Sequence, residues 1–364
     1  MIVRKRASLF GVFFLLNACG GGDQTRIVHP TDANFSSSAI EWGLSSESDD
    51  DIGTIGNPGA FDTLGTYDEP IEEVFGSIAG IGIDTLGRAY VLDSQYQEIR
   101  VFSPEGRYIL TVGGPGQGPG EFQDPEAIEV LGDQRVLVAD RGGILKIFAP
   151  SDSQGLVETE SINLGYPPES LCAMGGFVYL RGWSEDGGVI HKHRLDGSKV
   201  LSFGIPYRSP SRFVSRQLTK GTIACVPRTK TVVDLSLLFP FVRGFSEDGD
   251  LMWTAEIPGF LQMEIIEEVV NPGITFKQSK DHELGVSVTP VKNGAVLVQT
   301  AREHRTPGES GVSNLEVRSF FLDSSDGSGH LLPFDFPVVL AHGDGRFYGV
   351  EILPFPRILV FGSG

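Results

Sequence analysis

Between residues 78 and 152 the chain alternates short apolar runs with glycine-centred turns, and the pattern occurs twice. The stretch IAGIGIDTLGRAYVLDSQYQEIRVFSPEG (78–106) lays over QDPEAIEVLGDQRVLVADRGGILKIFAPSD (123–152). In each copy an apolar segment (81–83; 127–130) meets a turn (Leu86-Gly87; Gly132-Asp133). A second apolar segment (89–92; 136–139) ends on an aspartate, Asp93 or Asp140, and a third (99–102; 145–148) runs into another turn. Runs of this length, rich in β-branched residues and bounded by turn formers, predict strands. The offset of about 46 residues matches the period of propeller blades and not that of helical solenoids.

Turn positions that need a positive φ constrain residue type more tightly than strands do, so they extend the count. First turns recur at Gly87, Gly132, Gly176, Gly294 and Gly345, with Arg228-Thr229-Lys230 as a sixth. Turns after the third strand recur at Gly106, Gly155, Gly197, Gly249, Gly327 and Gly362. Both series give six units, the fifth lengthened by an inserted loop at 301–311. The sixth stops after its third strand, so a segment from the N-terminal side must supply the fourth. AIEWGL (39–44) is the first candidate and IEEVF (71–75) the second. The expectation is an all-β, six-bladed β-propeller over residues 39–364, built of four-stranded antiparallel blades, its last blade completed by an N-terminal strand and its sheet edges thereby removed. The one helix expected is LQMEIIEEVV (261–270), ended by Asn271-Pro272-Gly273 between units four and five.

The N-terminus departs from this pattern. Arg4, Lys5 and Arg6 precede an apolar run from Ala7 to Leu16, the plan of a signal peptide. As a helix the run rises only about 15 Å, half of a hydrocarbon core, which argues against a permanent span. Leu16-Asn17-Ala18-Cys19 resembles the bacterial lipobox, and that resemblance implies a leader over 1–18, cleavage before Cys19 and lipidation of Cys19. Residues 19–38 are small and polar, as a flexible tether is. In lipoproteins of two-membrane bacteria, Gly20 after the cysteine implies sorting to the outer membrane, facing the periplasm.

Composition then narrows the partners. Lys+Arg of 29 against Asp+Glu of 47 gives a net charge of −18, which argues against a nucleic-acid backbone or an anionic lipid surface as a partner. Loss of Arg4, Lys5 and Arg6 with the leader makes the mature chain more acidic still, so the lipid does the anchoring.

The run GQGPGEF (116–122), followed by Pro125 and the two-strand pattern ending at Asp140, looks like NHL-type repeats. More closely it resembles the six-bladed β-propeller lipoproteins of bacteria, strongly over 76–152 and weakly from 165 onward. The resemblance implies a recognition platform, with lactonases and lyases among its relatives; fold alone does not choose between them.

Candidate chemistry is sparse. The run from Gly113 to Gly120 lacks both phosphate-loop patterns and reads as an irregular inter-blade loop. Asp93 and Asp140 read as caps of the following turns, with a carboxylate ring as the functional alternative. His191 and His193 stand two apart, a spacing zinc can use on a strand, although Lys192 and Arg194 make a solvated hairpin edge the simpler account. His282-Glu283 meets Val286 where a protease motif needs its second histidine. GWSED (182–186) and GFSED (244–248) fall one glycine short of a nucleophile elbow. Asp49-Asp50-Asp51 reads as a solvated loop, with calcium as the alternative. Cys172 and Cys225, near the first strands of units three and four, are either a disulfide or two separate buried thiols.

The sequence therefore leads to a lipid-anchored, extracytoplasmic β-propeller that binds a protein, peptide or glycan at one end of its channel and uses no cofactor. The alternative is a metal-dependent lactonase- or lyase-like hydrolase in the channel, which needs convergent carboxylates and imidazoles. First-strand segments (80–83, 127–130, 169–171, 338–341) are largely small or apolar and favour binding.

Overall fold

The computed structural model describes residues 25–28, 40–42, 62–64, 74–153, 155–268, 273–277, 281–304, 314–333, 336–352 and 355–362. Three short N-terminal strands come first: β1 (Thr25–Ile27), β2 (Ile40–Glu41) and β3 (Asp62–Leu64). Blade one follows as β4 (Ile78–Ile83), β5 (Ala89–Asp93), β6 (Glu98–Phe102) and β7 (Tyr108–Gly113). Blade two is β8 (Pro125–Val130), β9 (Val136–Asp140), β10 (Ile144–Ser151) and β11 (Gly155–Asn163). Blade three is β12 (Ser170–Met174), β13 (Phe177–Arg181), β14 (Ile190–Arg194) and β15 (Lys199–Phe203), and a helix α1 (Arg212–Leu218) comes next. Blade four is β16 (Gly221–Val226), β17 (Thr231–Ser236), β18 (Phe241–Ser246) and β19 (Leu251–Glu256). Two strands outside the blades, β20 (Glu264–Glu268) and β21 (Gly273–Lys277), lead to blade five: β22 (His282–Pro290), β23 (Ala295–His304), β24 (Asn314–Asp323) and β25 (Gly329–Leu331). Blade six is β26 (Val338–Gly343), β27 (Arg346–Glu351) and β28 (Arg357–Gly362), closed by β3.

Every blade is an antiparallel meander whose innermost strand is its first. The inner strands β4, β8, β12, β16, β22 and β26 follow one another around a closed ring. Both faces of a blade are covered by its neighbours, which is why β5 and β9 are buried at every position and read as continuous apolar runs. Ile99 and Val101 of blade one meet Val136 and Phe148 of blade two; Val233 and Trp253 of blade four meet Val298 and Phe320 of blade five. At the centre the blades come closest. A Cβ on Gly80 or Gly82 would approach Ile128 Cγ2 to 3.0 Å or Val130 Cγ2 to 2.5 Å, so glycine is what lets β4 lie against β8.

An N-terminal strand does complete blade six, but it is neither segment expected from the sequence. Residues 62–64 pair antiparallel with β28, Leu64 opposite Ile358, and Leu64 is buried in the seam between blades six and one. Of the segment 39–44, the described residues 40–42 lie elsewhere. β2 adds a fifth, parallel strand to blade four, and Trp42 packs on Phe320 with ring centroids 5.2 Å apart while its Nε1 donates to the Gly327 carbonyl, 2.8 Å. Of 71–75, Val74 and Phe75 lie in no strand, and 71–73 are outside the described residues.

Three further expectations change. Residues 261–270 form no helix: β20 alternates buried Ile265 and Glu267 with half-buried neighbours and is paired on both sides, by β1 and β21. Inside the stretch read as tether, 25–27 is strand β1, and Val28 is buried beside Tyr207, Val214 and Leu218. The insertion at 301–311 begins as strand, because 301–304 belong to β23; 305–311 lie outside the described residues.

The β1–β20–β21 sheet and α1, joined by one apolar core, make a cap. Both cap insertions leave the last strand of one blade and return to the first strand of the next. Since strands alternate in direction, every such link lies where the inner strands begin, as do the hairpins between second and third strands. The cap therefore marks one end of the channel.

Candidate functional site

On blades one and two that end is closed by aspartates. Asp93, the last residue of β5, accepts from the backbone N–H groups of Gly76 (2.7 Å), Ser77 (3.0 Å) and Gln95 (3.0 Å). Asp140, the last residue of β9, accepts from Gln123 (2.8 Å) and Gly142 (3.0 Å). Each carboxylate thus ties the incoming inner strand to its own hairpin, and their lone pairs are taken up by the cap role.

The last residue of β13, at the same place in blade three, is Arg181. There the cap gives way to a charge network. Arg181 is buried; its Nε donates to Asp234 Oδ1 on β17 at 2.7 Å and its Nη1 to Glu169 Oε2, just before β12, at 3.2 Å. Gly221 opens β16 beneath it, where a Cβ would come within 2.7 Å of Arg181 Nη2. Arg243 on β18 is pushed down to about 10 by burial, against the pull of Asp234. Arg181, Asp234 and Arg243, with Tyr207, Thr219 and Phe241, line a cavity of about 20 Å³, room for about one water.

Toward blade two the network continues through Glu169. Burial raises its carboxyl, although Arg181, Lys220 and Arg216 pull it down. Burial likewise lowers the Lys220 ammonium, with Glu169 and Glu126 opposing and Arg141 and Arg216 assisting. Arg216 sits in the last turn of α1, and its buried Nε has no hydrogen-bond partner. Glu126 on β8 is pushed up to about 7, chiefly by burial and in spite of its ion pair with Arg141; Arg141 also holds Asp124, at 3.0 Å. Deeper along the same strand, Glu129 is pushed up to about 8 by burial alone.

In a chain of net charge −18, Arg141, Arg181, Arg216, Lys220 and Arg243 thus converge with Asp124, Glu126, Glu169 and Asp234 at one end of the channel. Strongly shifted groups gathered on rigid strands are what binding and catalytic sites are made of. This network can offer charge-assisted donors to an anionic group, and Glu126 can donate or accept a proton near neutrality. The opposite end is different: a groove of about 300 Å³ lies between the first turns of blades two and three, lined by Leu131, Arg135, Met174, Phe177 and Leu195.

The residues singled out in the sequence are scattered around this site. Cys172 on β12 and Cys225 on β16 are joined as a disulfide with Cα atoms 5.5 Å apart, linking the inner strands of blades three and four. Cys19 and Asp49-Asp50-Asp51 lie outside the described residues. His191 and His193 are neither solvated nor open to a metal: both are buried on β14. His191 Nδ1 and Nε2 lie 2.8 Å from Ser202 Oγ and 3.0 Å from the Gly182 carbonyl. His193 Nδ1 and Nε2 lie 3.1 Å from the Gly197 carbonyl and 3.1 Å from Tyr166 Oη. Burial lowers both imidazoles, His191 to about 4. In the glycine loop, Gly118 N–H donates to Glu121 (2.8 Å) and Gly120 N–H to Glu158 (2.5 Å). Glu283 is buried on β22 between Arg318 (2.9 Å) and Arg302 (3.1 Å). Among the described residues no three His, Cys, Asp or Glu side chains are grouped to hold a metal ion.

Sequence reasoning passed over Glu126, Glu129, Arg181, Arg216, Lys220, Asp234 and Arg243. A signal existed for two of them: Arg181 falls where the first two units carry Asp93 and Asp140, and Glu129 interrupts the apolar run 127–130.

Comparison with known proteins agrees with the architecture. A family model described as DUF5128, 6-bladed beta-propeller, matches residues 64–146. A DUF4221 family member from Bacteroides vulgatus is similar at TM-score 0.56 and 11% identity, over 84% of this chain and 97% of its own. An exported protein from Bacteroides fragilis is similar at TM-score 0.56 and 10% identity, over 89% of this chain and 99% of its own. Likeness at such identities carries the fold alone. Comparison with curated proteins finds no match.

Proposed function

We propose that the protein is an extracytoplasmic binding module, anchored by lipid at Cys19, that holds a protein, peptide or glycan at the cap end of its channel. The observation that carries this reading is the buried Arg216 Nε without a partner, with Lys220, lowered by burial, in the same charge network. A ligand carboxylate, from a peptide or an acidic sugar, supplies the acceptor that this Nε lacks, and a hydrogen bond to a charged group contributes about 1.5–3 kcal/mol. Lipid anchoring draws on the basic and apolar leader and on Leu16-Asn17-Ala18-Cys19. Gly20 favours the outer membrane, periplasmic side. NHL-like relatives that act as recognition platforms fit the same reading.

A second reading, a lactonase- or lyase-like enzyme, draws on Glu126 near pH 7, the range in which a general acid works. It requires lactone or lyase turnover that Glu126→Gln abolishes.

The test is binding of the purified protein to arrays of acidic peptides and acidic glycans, beside the Arg216→Ala, Lys220→Ala double variant. The expected result is a retained ligand class whose affinity falls at least tenfold in the variant. Equal binding by both proteins removes the cap end as the site, and no retention by the parent removes the binding reading.

A further inference from the structure

The cap fixes how an anchored molecule sits on its membrane. Residues 20–24 alone separate Cys19 from Thr25, the first residue of β1. Fully extended, that length spans about 20 Å at most. β1 is held firmly at the other end. It pairs with β20 over Thr25–Ile27, Val28 N–H donates to the Ile265 carbonyl at 2.9 Å, and Arg26 pairs with the buried Glu267 at 3.3 Å. A lipid on Cys19 therefore keeps β1, and with it the cap, within about 20 Å of the bilayer.

The surface of the cap suits that position. Ile27, Ile205 and Phe213 are 50%, 40% and 37% exposed, on three segments joined by the single core of Val28, Tyr207 and Val214. Arg208 is exposed among them; Arg26 is exposed too, its charge offset by Glu267. Exposed apolar side chains beside an exposed arginine suit a face that lies in a lipid interface. The rest of this strongly acidic chain is repelled by an anionic surface.

We propose that the cap, through Ile27, Ile205 and Phe213, is a membrane-contact face, and that the charged end of the channel is thereby held toward the phospholipid bilayer and away from the bulk compartment. This rests on lipid anchoring at Cys19. It narrows the ligand of the channel to one met in the membrane-proximal layer, such as the juxtamembrane segment of another envelope protein.

The experiment uses the full-length lipidated protein in vesicles of phosphatidylethanolamine and phosphatidylglycerol. Fluorophores are placed singly at Pro210→Cys or Arg212→Cys on the cap, which leave Ile27, Ile205 and Phe213 in place, and at Leu86→Cys, an exposed turn residue at the opposite end. Mass spectrometry of the N-terminal peptide reads lipidation separately. The expected result is that headgroup-nitroxide lipids quench the cap labels at least threefold more than the Leu86 label, and that about twenty Gly/Ser residues inserted after Gly20 remove the difference. A lipidated protein in which all labels are quenched alike, or the Leu86 label most, overturns the orientation and leaves anchoring standing. An unmodified Cys19 overturns both.

Discussion

Glu129 holds a carboxyl at about 8 with burial as the only cause: no charge partner compensates it. In the unfolded chain the same group ionises near the ordinary glutamate value, so between roughly pH 4.5 and 8 the folded protein binds more protons than the unfolded one. Stability contributed by the neutral acid is present below that window and is lost as pH rises through it. Glu129→Gln removes this dependence; the variant is expected to melt a few degrees above the parent at pH 8 and within about one degree of it at pH 5, by calorimetry. The same residue shows what was hard to read in the sequence. A glutamate in an inner strand is visible, but its environment is set by strands from other blades, and no local pattern carries that. Arg181 was closer to legible: aligning the units places it where aspartate caps units one and two, and a cation in a carboxylate's position signals a new partner, here Asp234.

At the scale of elements, local pattern identified strands well where both faces are buried and poorly where chains cross. LQMEIIEEVV fits a helical period and a strand alternation equally; the β-branched Ile265-Ile266 pair and two available edges decide for strand. The helix α1, at Arg212–Leu218, is too short to show a period and is recognised only by Ser211, which caps Val214 N–H at 3.4 Å. The need for a closing strand followed from the count of units. Its identity did not, because three residues with one leucine carry almost no pattern. That leucine is nevertheless decisive. Leu64→Asp puts a charge into the seam between blades six and one and is expected to cost about 3–5 kcal/mol in urea unfolding. Hydrogen exchange is expected to show β28 losing protection first, with β10 unchanged.

Across the whole molecule the ring is legible because glycine marks it. Gly87, Gly176, Gly294 and Gly345 in the first turns, and Gly106, Gly155, Gly197, Gly249 and Gly327 in the later ones, all have positive φ, a conformation few other residues accept. Gly132 is the exception, its turn using Gln134 instead, and Gly362 ends a strand. The disulfide lies half a turn of the ring from the seam that Leu64 fills, so a covalent lock faces a packed one. Cys172→Ala with Cys225→Ala opens a loop of 53 residues' separation and is expected to lower stability by about 2–4 kcal/mol while leaving the β circular-dichroism spectrum unchanged.

The three N-terminal strands belong to three different sheets, with partners in β20, β19 and β28. In a chain made from its N-terminus, none of them finds its place until residues far downstream exist, and β3 waits for the last strand of all. What the ribosome makes first is therefore docked last. Trp42 and Leu64 stay exposed through synthesis and are ready clients for a chaperone, and the long loops that close on them make the final step slow. A ring that cannot shut before its end has emerged is also one that stays threadable, the condition a polypeptide must keep if it is to be passed through a translocation pore.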